Sequence, residues 1–309
     1  MTLILSRISD AYALQVTDRL VSQRIGTNNN PVDLLANKNI LYIARDGVAC
    51  FAYTGLAALG GKATDVWIAE QMTGLALEGS PCTRIDRTTV LTLHEVLTTL
   101  PSIMDVALRS SAVPLQLVII GWRWQTRRRW RRAFPFYAKV TKLPKKEAVV
   151  EIAPRYWHYR RRLWFDASPS GSLENNAVMT LGSAISKLPE PDDASEALAD
   201  AIRKVAESNK YVGKDCMSVA IAPPHIASVC RIRFMPFQVR TGSSRWLPGR
   251  MFPIAYSPFI VTPQMVVSPS EMSGGGIIVA AGPWRVEVFA PERTAEVLFT
   301  MQSQKRNPL

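Results

Sequence analysis

Residues 2–8 (TLILSRI) and 11–18 (AYALQVTD) set the first constraint on this chain. They are two apolar, β-prone runs separated only by Ser9 and Asp10. Runs of this length with turn formers between them read as a hairpin. A turn centred near Asp10 predicts that Thr2 faces Asp18, Ile4 faces Val16, Ser6 faces Leu14 and Ile8 faces Tyr12. All eight then share one face, because side chains alternate along a strand with a period of two. A one-residue slip in the turn would change every pairing.

Residues 18–39 are polar and turn-rich around Asn28–Pro31, and read as a loop. A second hairpin follows, Ile40–Ala44 and Val48–Thr54, joined by a turn at Arg45-Asp46-Gly47. Both arms are apolar nearly throughout, as strands buried on both faces are. Helices are expected over about 65–77, capped by Thr64 or Asp65 with Val66, Ile68, Ala69 and Met72 inward, and from Thr88 or Thr89 through Leu100. Pro101 is expected to break or kink the second before Ile103–Leu108. Strands are expected at about 115–122, 134–142, 147–153 and 161–166, with an Arg-rich turn at 125–133 and a connection at 142–146. The chain re-enters helix near Gly182-Ser183. Asp192, Asp193 and Glu196 open an amphipathic helix over about 193–207, where acidic residues suit the helix N-terminus. Strands follow at about 215–222 and 227–234, then further apolar runs at 258–267, 276–281 and 284–290. Strands grouped apart from helices give an α+β fold, with sheets sandwiched between helical layers.

At 309 residues the chain can bury a large core. No run approaches the roughly 18–20 apolar residues of a membrane span, and the start lacks the basic and apolar blocks of a secretory leader. Cys50, Cys82, Cys216 and Cys230 are scattered without CxxC spacing. Free thiols in a reducing compartment, the cytoplasm, are expected in place of a disulfide frame or zinc site. The net charge of +12 is concentrated: residues 122–162 hold fourteen Lys/Arg against Glu147 and Glu151. The basicity therefore belongs to one feature.

Thr2 carries the chemistry of interest. A threonine hydroxyl is a weak nucleophile and needs a nearby base. A free N-terminal threonine supplies one itself, an α-amine with an ordinary pKa of about 7.7–8. Thr2 follows Met1 directly, and a small second residue permits removal of the initiator methionine. Asp18 lies sixteen residues on, then Lys38, then an apolar strand ending in TGLAALGGKATDVWIAEQM. On these residues the sequence resembles the N-terminal-nucleophile hydrolases, specifically proteasome β-type subunits and the bacterial peptidase of the two-component ATP-dependent protease.

The resemblance implies a four-layer αββα sandwich and a threonine-dependent peptidase. It makes Thr2 the nucleophile, Asp18 the partner of Lys38, and Gly55 the residue whose N–H helps form an oxyanion hole. Lys38 to Gly55 is a few residues longer than the family's gap, which a longer turn at Arg45–Gly47 absorbs. Gly182-Ser183 looks like the family's serine near the threonine amine. Asp215 and Ser218 have the family's aspartate-x-x-serine spacing, with Asn209 as the competing candidate for that aspartate. The resemblance covers roughly residues 2–222. The expected organisation is an αββα domain over 1–234 with a basic hairpin insertion at about 122–162, and a β-rich C-terminal extension over 235–309. A peptide or protein substrate, a homo-oligomeric ring and a separate ATPase are implied partners; no cofactor is.

Other features compete with this reading. WRWQTRRRWRR…RYWHYRRRLW has arginines for phosphate and aromatics for bases. Equally, alternating Trp and Arg describe a strand with one packed and one solvated face. His94, His158 and His225 lack companions at metal-ligand spacing, and Gly274–Gly276 lacks the Lys-Ser/Thr of a phosphate loop. Two alternative functions remain: a catalytically silent binding or assembly module with a nucleic-acid-binding hairpin, and an amidohydrolase of a small amide.

Overall fold

Short alternating runs dominate the chain, and they pair into two large sheets. The computed structural model describes residues 2–25, 28–33, 36–77, 82–85, 90–127, 130–152, 164–167, 184–185, 188–237, 257–269, 277–281 and 283–289. Met1, the helix start at Thr88 or Thr89, His158, Gly182-Ser183 and the Gly274–Gly276 turn lie outside these residues.

The N-terminal hairpin is β1 (Ile4–Ile8) and β2 (Ala13–Asp18). Its reversal closes on the Ser9–Tyr12 pair: Ser9 N–H donates to the Tyr12 carbonyl at 2.9 Å, and the Ser9 hydroxyl accepts from the Ala11 and Tyr12 N–H groups. This two-residue loop shifts the register by one from a turn centred on Asp10. Ile4 stands opposite Thr17 and Ile8 opposite Ala13. Thr2 therefore does not face Asp18. Asp18 pairs with Leu3, donating its N–H to the Leu3 carbonyl.

The expected loop over 18–39 holds instead a ribbon, β3 (Val21–Ile25) and β4 (Asn28–Asp33), which among the described residues pair only with each other. The second hairpin is as expected, β5 (Asn39–Ile43) and β6 (Gly47–Gly55), closed by Ala44 N–H to the Gly47 carbonyl. A small ladder, β7 (Ala58–Leu59) and β8 (Lys62–Ala63), leads into α1 (Thr64–Thr73). Neither Thr64 nor Asp65 caps α1. The N-cap is Ala63, and the Thr64 hydroxyl donates to the Leu56 carbonyl. The helix stops at Thr73 because Gly74 turns left-handed, φ 68°.

After β9 (Cys82–Arg84) comes α2 (Leu93–Ala107). Thr92, and not the expected Thr88 or Thr89, caps it, in a reciprocal box with Glu95. Two hydrogen bonds from Thr92 hold the exposed Glu95 carboxyl below its ordinary pKa. Thr92→Ala is expected to cost about 1 kcal/mol, read as a lower urea midpoint at unchanged slope. The break expected at Pro101 does not occur. Leu97, Leu100 and Met104 carry the buried stripe past the proline, and their packing offsets the hydrogen bond it removes.

β10 (Leu115–Arg127) and β11 (Trp130–Lys142) pair along their whole length, ending with Arg127 opposite Trp130. The stretch expected as an Arg-rich turn is thus the far end of one long hairpin. The remaining elements are β12 (Val149–Ile152), β13 (Trp164–Ala167), α3 (Pro191–Ser208), β14 (Cys216–Ile221), β15 (Val229–Met235), β16 (Phe259–Val261), β17 (Met265–Val267), β18 (Ile277–Ala281) and β19 (Trp284–Phe289).

The seven-stranded sheet runs β13-β1-β2-β14-β15-β19-β18, and the eight-stranded sheet β12-β11-β10-β6-β5-β16-β17-β9. β19 joins β15, and β16 joins β5, by parallel pairing. The region after residue 234 therefore supplies strands to both sheets. Three apolar cores separate the layers. Ala49, Phe51 and Tyr53 of β6 pack with Ile68 and Met72 of α1 and Leu97 and Leu100 of α2. Val48, Cys50 and Ala52, on the other face of β6, meet Ile4 of β1 and Met217 and Val219 of β14. Leu5, Leu14 and Val16 pack with Leu198 and Ile202 of α3. The fold is mixed α+β, as expected. Among the described residues, no helix is long and apolar enough to cross a membrane.

Candidate active site

The site forms where the N-terminus, the end of β2, the start of β5 and the end of β6 meet. Asp18 is fully buried at the end of β2. Its Oδ1 accepts the Leu3 N–H at 2.8 Å; its Oδ2 accepts the Leu20 N–H at 3.1 Å and the Gly213 N–H at 3.0 Å. The same Oδ2 takes a 3.0 Å ion pair from Lys38 Nζ. Lys38, 2 % exposed, also donates to the Leu20 carbonyl at 2.5 Å.

Thr2 is 5 % exposed. Its carbonyl accepts the Thr54 hydroxyl at 3.4 Å, which ties it to the end of β6. Thr2, Lys38 and Gly55 line one small pocket with Leu20, Val21, Tyr53, Leu56 and Ala57. Its volume is about 20 Å³, room for a water molecule.

Gly55 has two reasons to be glycine. Its φ is +108°, and a Cβ there would lie 1.9 Å from the Pro114 carbonyl oxygen. The close approach of β6 to the start of β10 fixes where the Gly55 backbone points.

The sequence-selected residues are thus partly assembled. Thr2, Lys38 and Gly55 share the pocket, and Asp18 lies beneath it holding Lys38. Ser183 lies outside the described residues. The Asp215 carboxylate accepts the Phe237 N–H at 2.9 Å, and Asp215 is not among the pocket's lining residues. Ser218 is buried in β14, opposite Val16, on the face that Cys216 and Ala220 turn toward α3. Asn209 ends α3, and its Oδ1 accepts the Tyr211 N–H. That loop delivers Gly213 to Asp18.

Gly213 was not selected from sequence. A Cβ there would lie 2.8 Å from Leu20 Cβ and 2.9 Å from Leu20 N, so glycine lets its N–H reach the carboxylate. A glycine soon after an amphipathic helix is the one available signal. Cys216, opposite Asp18, is fully buried, and burial pushes its thiol pKa far up. It stays a neutral core residue.

The Trp/Arg stretch takes its packing reading where its side chains are described. Trp122 is buried, and its Nε1–H donates to the Ile221 carbonyl at 3.1 Å. Trp124 stacks on Trp284 at 6.1 Å. Arg123 bonds Asp46 at 3.4 Å and lies over the Phe136 ring. Among the described residues, no group of three or more His, Cys, Asp or Glu could hold a metal ion.

No family model matches the chain, and no curated protein matches it. Solved structures do. Anbu (ancestral beta-subunit) from Yersinia bercovieri is 10 % identical, with 72 % of this chain and 82 % of that chain covered and a TM-score of 0.45. An Anbu (Gly-1) mutant from Hyphomicrobium sp. strain MC1 is 9 % identical, with 77 % and 89 % covered and a TM-score of 0.48. Thiobacillus denitrificans BPH in complex with epoxomicin is 15 % identical, with 72 % and 98 % covered and a TM-score of 0.40.

Proposed function

We propose that this chain hydrolyses amide bonds, most simply those of peptides, through Thr2 as an N-terminal nucleophile. The observation that carries the reading is Thr2, Lys38 and Gly55 on one pocket above a buried Asp18–Lys38 ion pair. Removal of Met1 frees the Thr2 α-amine. That amine, directly or through a water in the pocket, takes the hydroxyl proton, a step worth on the order of 10²–10⁴ in rate. The Lys38 ammonium lowers the hydroxyl pKa by its charge, and Asp18 keeps that ammonium in place. Thr2 Oγ1 then bonds to the amide carbonyl carbon. The Gly55 N–H donates to the developing oxyanion, a contribution of about 10²–10³ in comparable sites. The amine leaves with the proton, and water splits the ester that remains on Thr2.

The test is covalent labelling with a β-lactone. The wild-type protein is expected to gain one adduct on Thr2 and Thr2→Ala none. A Thr2→Ala protein that labels as fully as wild type contradicts the assignment.

Self-association belongs to the same proposal. Val106 at the end of α2 and Val149 and Ile152 on β12, the outermost strand of its sheet, are all more than half exposed. That apolar edge suits contact with a second copy. Light scattering is expected to give a multiple of 34.3 kDa; a monomer at micromolar concentration removes this part.

A further inference from the structure

Lys38 can act on Thr2 only if two separate chain segments, 18–20 and 36–38, hold a fixed spacing. The Asp18–Lys38 pair spans them, and so does the Lys38 bond to the Leu20 carbonyl. The residue between those two acceptors is Arg19, and it reaches across in the same direction. Its Nε donates to the Ala36 carbonyl at 3.1 Å, and its Nη2 donates to Asn37 Oδ1 at 2.7 Å. Ala36 N–H returns a bond to the Arg19 carbonyl at 3.0 Å.

Asn37 is itself clamped. Its Nδ2 donates to the Ser257 carbonyl at 2.8 Å, so its amide oxygen is the end turned to Arg19. Its backbone carbonyl accepts the Tyr53 hydroxyl at 3.1 Å, and Tyr53 N–H donates to the Lys38 carbonyl at 3.1 Å. Arg19 is fully buried, with its guanidinium 4.5 Å from the centre of the Phe234 ring. A buried cation is costly to retain. A planar fork able to meet two acceptors while lying flat on an aromatic ring is a role only arginine fills.

We propose that Arg19 is a positioning residue for Lys38, acting through Asn37. It locks the backbone on either side of the ion pair, so that the ammonium sits at one distance from Thr2. The proposal rests on the hydrolase reading of the site. It also brings the segment around Ser257 into the support of the pocket.

The test uses the full-length Arg19→Lys and Arg19→Met proteins, with a β-lactone as the probe, and separates kinact from KI. A residue needed only for folding lowers the fraction of protein that labels and leaves kinact of the remainder unchanged. For Lys38 positioning, kinact is expected to fall roughly tenfold in Arg19→Lys while KI stays within about twofold. A second readout needs no activity: hydrogen exchange of the Lys38 ammonium, followed by nitrogen-15 NMR, is expected to quicken roughly tenfold as its bonds to Asp18 and Leu20 loosen. Should the Arg19 variants not fold, Asn37→Ser carries the same expectations, because it removes the acceptor of Arg19 and keeps the backbone carbonyl that Tyr53 holds. Unchanged kinact and unchanged exchange in a folded variant overturn the proposal. A wild-type protein that never labels at Thr2 overturns the hydrolase reading instead, and the exchange measurement alone then decides the role of Arg19.

Discussion

Asp18→Ala is expected to destabilise the protein by about 3–5 kcal/mol and to end labelling at Thr2. The carboxylate serves three backbone N–H groups, of Leu3, Leu20 and Gly213, and the Lys38 ammonium. Alanine removes the acceptor of all four in a region where Leu3, Leu20 and Lys38 are buried. No water-sized replacement satisfies four donors as the two carboxylate oxygens do, and an unpaired buried charge is the most costly of them. Lys38→Met is the informative contrast. It leaves Asp18 with its three N–H donors, so its cost is expected to be smaller, about 1–3 kcal/mol, while labelling is lost just as fully. Urea unfolding of the two variants checks the asymmetry. Equal destabilisation would mean that the backbone donors contribute little and the ion pair alone matters.

Gly55→Ala is expected to cost roughly 3–5 kcal/mol, from backbone strain and overpacking together. A methyl at this position meets the Pro114 carbonyl oxygen at 1.9 Å and the Pro114 carbonyl carbon at 2.9 Å. These are backbone atoms at the mouth of β10, so no rotamer change relieves the contact. The strand end must move, and the Gly55 N–H moves with it. Labelling of the folded fraction is then expected to slow by about 10²-fold, the scale of losing one oxyanion donor. Gly61→Ala separates the two causes. Its φ is +81°, but nothing lies within 4 Å of where a Cβ would sit. Only the conformational penalty remains, about 1 kcal/mol. Similar losses for the two variants would show that the close approach to Pro114 is unimportant.

What the sequence disclosed follows from how local each signal was. The β5–β6 hairpin was legible because its arms are apolar on both faces and Arg45-Asp46-Gly47 is a turn in its own right. α3 was legible from its acidic start and its apolar stripe. Lys38 and Gly55 were selected through the family resemblance by order along the chain, which does not depend on register. The pairing of Thr2 with Asp18 does depend on it, and Ser9, through its side-chain bonds to Ala11 and Tyr12, moved the turn by one residue. Asp18 still reaches Lys38 because a carboxylate at a strand end is not confined to one face.

The missed features are those decided at a distance. β3 and β4 carry too little apolar surface to announce themselves. Pro101 sits in a continuous helix because Leu100 and Met104 bury against a sheet. The parallel additions of β16 to β5 and β19 to β15 join residues more than fifty apart, with no local pattern to mark them. Arg19 falls in the stretch that reads as a loop, and only the fold shows Ala36 and Asn37 in its reach.

The central claim is that Thr2 is the nucleophile and must be the first residue. Intact-mass analysis of the purified protein, before and after a β-lactone, followed by peptide mapping, tests it most directly. The account predicts a chain that begins at Thr2 and gains a single adduct on that residue. A chain that keeps Met1, or one that begins at Thr2 and takes the adduct elsewhere or not at all, contradicts it.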